Sequence, residues 1–142
     1  MPPNRICEEM SVADLDPGAQ RALLDRLFEA FNRHDVEGVC ACFTADVVFD
    51  AAVGAEVHGT RFSGRDAVGA AFARTFADLK DVCWDDVRHY PGADYATTTW
   101  TMRGTRPDGL RLEVEGIDLF TLRDGLVAVK RAFRKERPLQ KS

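Results

Sequence analysis

At 142 residues, with 45% hydrophobic and 30% charged residues, the chain is long enough for one globular domain and too short for two independent cores. Its net charge of -4 at pH 7, and the lack of a basic stripe interleaved with aromatic residues, argue against a nucleic-acid partner. Because it has neither a signal-peptide pattern nor an apolar stretch near the roughly 20 residues of a membrane span, we expect a cytoplasmic protein without a membrane partner.

The first half of the chain carries helical patterns. Three prolines and Gly18 near the start predict a flexible N-terminal arm. After it, apolar residues recur at three- and four-residue steps, which is typical of amphipathic helices, and Asp35 is placed to cap the second of them. In chain order we predict an arm over residues 1–18, helices over 19–33 and 36–43, a strand from residue 47, a loop over 51–64 and a helix over 66–79.

The second half alternates apolar and polar residues with a period of two. Turn signals such as Pro107-Asp108-Gly109 and Asp124-Gly125 interrupt this alternation, which predicts an antiparallel meander. Helices followed by hairpins indicate an α+β domain in which the helices cover one face of the sheet. The predicted strands span residues 82–89, 95–103, 110–122 and 126–134, the domain spans 19–135, and a polar tail spans 136–142.

Four short segments, in this order and spacing, resemble the NTF2-like superfamily and its SnoaL-like branch of polyketide cyclases. They are Phe31-Asn32-Arg33-His34-Asp35, Phe43-Thr44-Ala45-Asp46-Val47-Val48-Phe49, Gly64-Arg65-Asp66-Ala67-Val68 and Gly116-Ile117-Asp118-Leu119-Phe120. The resemblance implies a cone, in which three N-terminal helices pack on a strongly curved antiparallel sheet that encloses an apolar pocket. It also implies a homodimer formed through the convex face of the sheet.

Asp118 is the first candidate for chemistry because its predicted strand places it in an apolar row. That row consists of Leu112, Val114, Gly116, Phe120 and Leu122. Burial disfavours the ionised form of a carboxyl group, so Asp118 could accept or donate a proton at physiological pH. The alternative is structural: Asp118 caps a bulge or forms an ion pair with Lys130 or Arg134 across the next hairpin.

The resemblance supports a catalytic role for Asp118 and also narrows the type of reaction. Polyketide cyclases of this branch keep an acid/base aspartate at the strand position of Asp118, and ketosteroid isomerases keep a protonated aspartate there. The isomerase base would fall near Ala51, whereas Asp50 is predicted to face the other way. Epoxide hydrolases of the superfamily would need an arginine and a second aspartate where this chain has Gly116 and Ala132. Steroid isomerisation and epoxide hydrolysis are therefore disfavoured.

Four further residues are candidates for substrate binding. Trp100 shares a face with small and apolar residues, so it forms either plain core or a flat wall for a planar ligand. His58 lies in the loop that the resemblance places at the pocket mouth, where it is either a substrate partner or a solvated histidine. Phe72, on the third helix, and Phe120, beside Asp118, are expected to shape the pocket.

The last strand allows two registers. Alternation points Val127, Val129 and Phe133 to the core, whereas alignment from the Asp124-Gly125 turn by resemblance points Lys130 and Arg134 to the pocket. In the second register a cation near Asp118 would favour its ionised form and an anionic substrate. In the first, the basic residues are a solvated edge.

Cysteines and histidines do not group at metal-ligand spacing, and no nucleophile triad or phosphate-binding loop is present, so we expect no metal, nucleotide or flavin cofactor. The predicted function is a cofactor-independent isomerase, cyclase or lyase that transfers protons on a small hydrophobic or weakly anionic carbonyl compound, with Asp118 as acid/base. The alternative is a non-catalytic ligand-binding or dimerisation module of the same fold.

Overall fold

The computed structural model describes residues 16–141, so most of the predicted N-terminal arm lies outside the described residues. The first helix begins at Pro17, two residues before its predicted start. Asp16 caps it by accepting a hydrogen bond from the Gly18 amide, and a proline is tolerated at the first helical position because its missing N–H would be unpaired there anyway. Pro17 and Gly18 therefore belong to the helix and not to the arm.

Three helices precede or interrupt the first strands, as predicted. They are α1 (Pro17–Arg33), α2 (Val36–Cys40) and α3 (Arg65–Asp78). Helix α1 ends where His34 adopts the left-handed conformation, and Asp35 then accepts a hydrogen bond from the Gly38 amide to start α2. None of the helices in the described part of the chain is long and apolar enough to cross a membrane.

Seven strands form one sheet within the described residues. They are β1 (Phe43–Asp50), β2 (Arg61–Ser63), β3 (Cys83–Pro91), β4 (Tyr95–Thr105), β5 (Leu110–Arg123), β6 (Leu126–Arg134) and β7 (Gln140–Lys141). The strand order is β2-β1-β6-β5-β4-β3, and β7 pairs with β5. The predicted meander from β3 to β6 is confirmed, and the fold is α+β with three helices packed on a curved sheet.

The sheet is mixed and open, which corrects the prediction of an antiparallel sheet. Strand β1 runs parallel to β6, while the other neighbouring strands pair antiparallel. Two short strands also lie where a loop and a polar tail were predicted, since β2 falls within residues 51–64 and β7 within 136–142. Strands of two or three residues are too short to produce a detectable alternation.

The core lies between the helices and the concave face of the sheet. Alternate residues of β4 and β5 point to this face, and the register sets Thr98 opposite Asp118 and Trp100 opposite Gly116. Helix α1 packs on this face through Phe28, which meets Phe120 of β5 edge-on, and its Leu24 and Leu27 are fully buried. The apolar rows predicted for these two strands are therefore the rows that face the helices.

Candidate functional site

Asp118 lies on β5 in the concave face, with 0% of its surface exposed. One carboxylate oxygen, Oδ1, accepts a hydrogen bond from Lys130 Nζ at 2.9 Å. The other, Oδ2, accepts one from the indole Nε1 of Trp100 at 3.0 Å. Both oxygens thus have a donor, which satisfies the requirement that a buried carboxylate be paired and hydrogen-bonded. The ion pair with Lys130 is the structural alternative that the sequence left open.

A β-bulge in β6 turns Lys130 towards Asp118. Val127 pairs with Leu122 and Val129 with the adjacent Thr121, so Ala128 is an extra residue without an opposite partner on β5. The bulge changes which parity faces inward: Val127 is fully buried before it, and Lys130 is 5% exposed after it. Each of the two predicted registers is therefore correct for one part of the strand.

Aromatic faces surround the Lys130 ammonium group. Its Nζ lies 4.6 Å from the ring centroid of Phe49, 5.6 Å from that of Phe72 and 5.7 Å from that of Phe31. A cation within about 6 Å of a ring face is attracted by the ring quadrupole. Lys130 is thus held by one carboxylate and three rings, and it presents a charge within otherwise apolar surroundings.

Gly116 makes room for Trp100. A Cβ atom at this position would lie 2.3 Å from Trp100 Cη2 and 2.6 Å from the carbonyl oxygen of Phe133. The indole therefore lies across the backbone of β5, and from there its Nε1 reaches the carboxylate of Asp118. Gly116 is a site residue that the sequence did not reveal, because its importance depends on the tryptophan opposite it on the neighbouring strand.

A cavity of about 330 Å³ opens beside this group of residues, at the lower end of the size range of ligand sites. Its walls come from α3, from strands β1, β2, β3, β4 and β6, and from the loop after β1. Most of its lining is apolar, and the larger apolar side chains are Phe49, Phe62, Phe72, Trp84, Trp100 and Met102. The charged residues of the lining are Arg74, Asp78, Lys130 and Arg134. Asp118 lies behind Lys130 and Trp100 and does not line the cavity.

Arg134 lies four residues after Lys130 on the same face of β6. Its Nη1 donates to the sulfur of Met102 at 3.6 Å, and burial lowers the pKa of its guanidinium group. Lys130 and Arg134 thus both face the cavity, as one of the two sequence registers predicted.

The other predicted binding residues divide into two groups. Phe72 lines the cavity and stacks on Phe49 with ring centroids 5.0 Å apart. Phe120 does not line it: this residue is 1% exposed and packs edge-on against Phe28 in the core. Its strand parity placed it correctly on the concave face, but helix α1 covers it there.

His58 also lies away from the cavity lining. Its Nδ1 is 3.9 Å from a carboxylate oxygen of Asp50, on the opposite side of β1 from Phe49. Arg61 binds Asp50 through two hydrogen bonds of 2.7 and 3.0 Å, and this pairing holds the pKa of the Asp50 carboxyl below its usual value. Asp50 thus faces away from the cavity, in the direction predicted for it. His58 lies beside Asp50 and does not line the cavity either.

A larger and shallower groove, of about 670 Å³, runs over the convex face of the sheet. Its lining includes Tyr90, Ile117 and Phe133, and the first and last of these are 53% and 44% exposed. Most of its lining lies on the face opposite Asp118, although Trp100 and Arg134 border it as well as the smaller cavity. No ion pair as buried as that of Asp118 lines it within the described residues. The larger volume of the groove therefore does not make it the functional site. The smaller cavity beside Lys130 is the better candidate for that site.

The family of SnoaL-like domains matches residues 24–130, which is well over half of the chain. The chain belongs to this SnoaL-like family. Among curated proteins, none matches its sequence. Solved structures with the same fold include three that each cover more than 80% of this chain.

One structure similar to this SnoaL-like chain is a candidate polyketide cyclase from Xanthomonas campestris, with 22% identity, a TM-score of 0.70 and coverage of 82% of this chain and 90% of that one. A candidate isomerase from Bacillus subtilis has 15% identity and a TM-score of 0.71, covering 83% and 87%. An NTF2-like protein of unknown function from Mesorhizobium loti has 22% identity and a TM-score of 0.70, covering 84% and 93%. At these identities the likeness establishes the fold.

Several cavity residues of this SnoaL-like protein were not predicted from the sequence. Phe49 and Phe62 come from paired positions of β1 and β2, and Trp84 comes from the start of β3. The alternation within β1 could have indicated Phe49, since it shares a parity with the buried Val47. Phe62 lay in a segment predicted to be a loop, so no pattern pointed to it.

Proposed function

We propose that this SnoaL-like protein is a cofactor-independent isomerase or cyclase that acts on a small hydrophobic, carbonyl-bearing molecule. One observation carries the proposal: the ammonium group of Lys130 faces an apolar cavity while the fully buried Asp118 binds it at 2.9 Å. The buried pair is costly to build in an apolar core, and it is placed at the wall of a cavity of ligand size.

Lys130 is the group that touches the substrate in this proposal. When a carbonyl compound enolises, negative charge develops on its oxygen, and a fixed cationic donor stabilises that charge most effectively where water is excluded. The ammonium group polarises the carbonyl and weakens the adjacent C–H bond. A water molecule in the cavity, or Asp78 at its mouth, receives the proton and returns it to another carbon of the enolate, which completes an isomerisation and restores the base.

Asp118 acts through Lys130 as a positioning residue. Both of its oxygens already accept hydrogen bonds and it does not reach the cavity, so direct proton transfer to the substrate, as predicted from the sequence, is not the role we propose. Its carboxylate fixes the direction of Lys130 Nζ. Trp100 holds the second oxygen and thereby prevents the carboxylate from rotating.

A panel of small β,γ-unsaturated ketones and β-keto esters tests the proposal, with isomerisation and cyclisation followed by NMR. We expect turnover of at least one compound by the native protein and a loss of at least a hundredfold in Lys130→Gln. Lys135→Gln is the matched control, since Lys135 is exposed. Because Lys130→Gln leaves a buried carboxylate unpaired, Asp118→Asn/Lys130→Gln provides a neutral second variant. Native turnover rates in both folded variants would refute the role of Lys130.

A non-catalytic ligand-binding module is the second candidate, and one observation favours it. Asp118 has a donor on each oxygen and no surface in the cavity, as in a purely structural ion pair. In that case Asp118→Asn would lower the melting temperature sharply and leave ligand binding by the folded protein unchanged.

A further inference from the structure

Three cationic side chains line the cavity, namely Lys130, Arg134 and the exposed Arg74. The first two differ in how their charges are balanced. Lys130 has the carboxylate of Asp118 as a direct partner. Arg134 has no carboxylate within 4 Å among residues 16–141, and its one hydrogen bond there goes to the thioether sulfur of Met102. A thioether is a weak, neutral acceptor, whereas a guanidinium group has five N–H donors. Within the described part of the chain, the charge of Arg134 is therefore uncompensated.

An uncompensated charge in a partly buried position is unfavourable. Removing a cation from water costs free energy that only an anion or several good acceptors restore. Arg134 is only partly exposed, at the end of β6 beside Trp100 and Met102. The planar fork of a guanidinium group matches the two oxygens of a carboxylate.

Flat aromatic surfaces form one wall of the cavity. Phe49 lies between Phe62 and Phe72, with ring centroids 5.8 and 5.0 Å apart and interplanar angles of 20° and 19°. These rings are nearly parallel. The indoles of Trp84 and Trp100 line the cavity as well. A planar, unsaturated ligand would make the most contact with such walls, because aromatic groups pack favourably when offset and parallel.

We propose that the cavity binds a planar, unsaturated monocarboxylate, with the carboxylate on the guanidinium group of Arg134 and the conjugated body between the aromatic walls. The inference rests on the proposed function, because it names the class of substrate for the same cavity. A single negative charge is specified since Lys130 already has the carboxylate of Asp118 as its partner. A second anionic group on the ligand would meet only Arg74, which is exposed to solvent.

The positions of the two cations also set the orientation of the ligand. Lys130 and Arg134 are four residues apart on one strand, which separates their Cα atoms by about 13 Å at the usual rise of a β-strand. The carboxylate therefore lies at the Arg134 end, and the reacting carbonyl lies at the Lys130 end. This arrangement requires a ligand whose two oxygen functions are separated by several carbon atoms.

Binding of trans-cinnamate and of its neutral analogue trans-cinnamamide, measured by isothermal titration calorimetry, tests the inference without any assay of turnover. The two probes share their planar conjugated body and differ in charge. We expect the native protein to bind cinnamate at least tenfold more tightly than cinnamamide. Arg134→Gln should remove this preference and leave the affinity for cinnamamide unchanged, whereas Arg134→Lys should keep part of it.

Arg131→Gln is the matched control, because it removes the same charge from the exposed, opposite face of the same strand. It should retain the preference for cinnamate. The inference is wrong if both probes bind equally, if neither binds at millimolar concentration, or if Arg131→Gln and Arg134→Gln have the same effect. Since no catalytic step is measured, cinnamate can bind as expected in a protein that turns over nothing, and the two proposals can fail separately.

Discussion

Gly116 of β5 allows Trp100 to reach Asp118. Because it has no side chain, the indole of Trp100 lies over it and donates to Asp118. A glycine within a strand ordinarily weakens the strand, so its presence here is explained by the close approach of another group. Gly116 thus shapes the site although it has no functional group of its own, and a single sequence could not show this role.

The substitution Gly116→Ala should displace Trp100 and weaken its hydrogen bond to Asp118. We expect a loss of about 1–3 kcal/mol in the free energy of unfolding, as for other cases of overpacking, measured by urea denaturation. Gly104→Ala is the control, because a Cβ atom there would meet its nearest neighbour at 3.5 Å, an ordinary contact. Equal effects of the two substitutions would contradict this account.

At the scale of elements, the faces of β4 and β5 could be predicted from alternation because both strands are long and regular. The face of β6 could not, since the bulge at Ala128 changes the parity within the strand. The parallel pairing of β1 with β6 was also missed. These strands are far apart in the chain, and no turn between them indicates their relative direction. The candidate site depends on both features, so Lys130 was placed only as one of two alternatives.

The packing of α1 against β3 gives a prediction for pH. The imidazole of His89 is hydrogen-bonded to Thr98 and Asp25, with 7% of its side chain exposed. Burial lowers the pKa of His89 in the folded protein below its ordinary value of 6.5, although Asp25 opposes this shift. Below pH 6.5 the unfolded chain therefore binds a proton at this residue more readily than the folded protein does.

The contribution of His89 to stability is consequently present above pH 6.5 and is lost as the pH falls. Urea denaturation at pH 8 and pH 5 measures this loss, and His89→Gln should show a smaller loss than the native protein. A decrease of the same size in both proteins would show that His89 does not contribute to it.

At the scale of the whole molecule, the order of elements was sufficient to predict the α+β fold, and the SnoaL-like family followed from the resemblance of four sequence segments. The position of Asp118 in the core also followed from the sequence. The boundaries of the cavity did not, because they depend on which side chains cover one another: Phe120 and His58 were expected at the pocket and lie elsewhere, while Phe49, Phe62 and Trp84 line it. Contacts between distant elements leave no periodic signal in one sequence.

The homodimer expected from the family resemblance remains a prediction, and the convex groove offers a test of it. Phe133 is 44% exposed on that face and lines the groove. We expect a dimer by sedimentation velocity for the native protein and a monomer for Phe133→Glu, because a charge in an apolar interface is unfavourable. Val57→Glu alters another exposed apolar residue and should leave the dimer intact. A native monomer would refute the prediction.

We propose that Asp118 serves the cavity through Lys130, and measuring rate and stability together in Asp118→Asn tests this role. The measurement is the rate of solvent deuterium incorporation next to the carbonyl of a turned-over compound, at a temperature where circular dichroism shows the variant to be folded. We expect the rate of deuterium incorporation to fall at least tenfold, since the ammonium group of Lys130 loses its fixed partner. A native rate in the folded variant, with only its melting temperature lowered, would contradict the claim and identify the ion pair as structural.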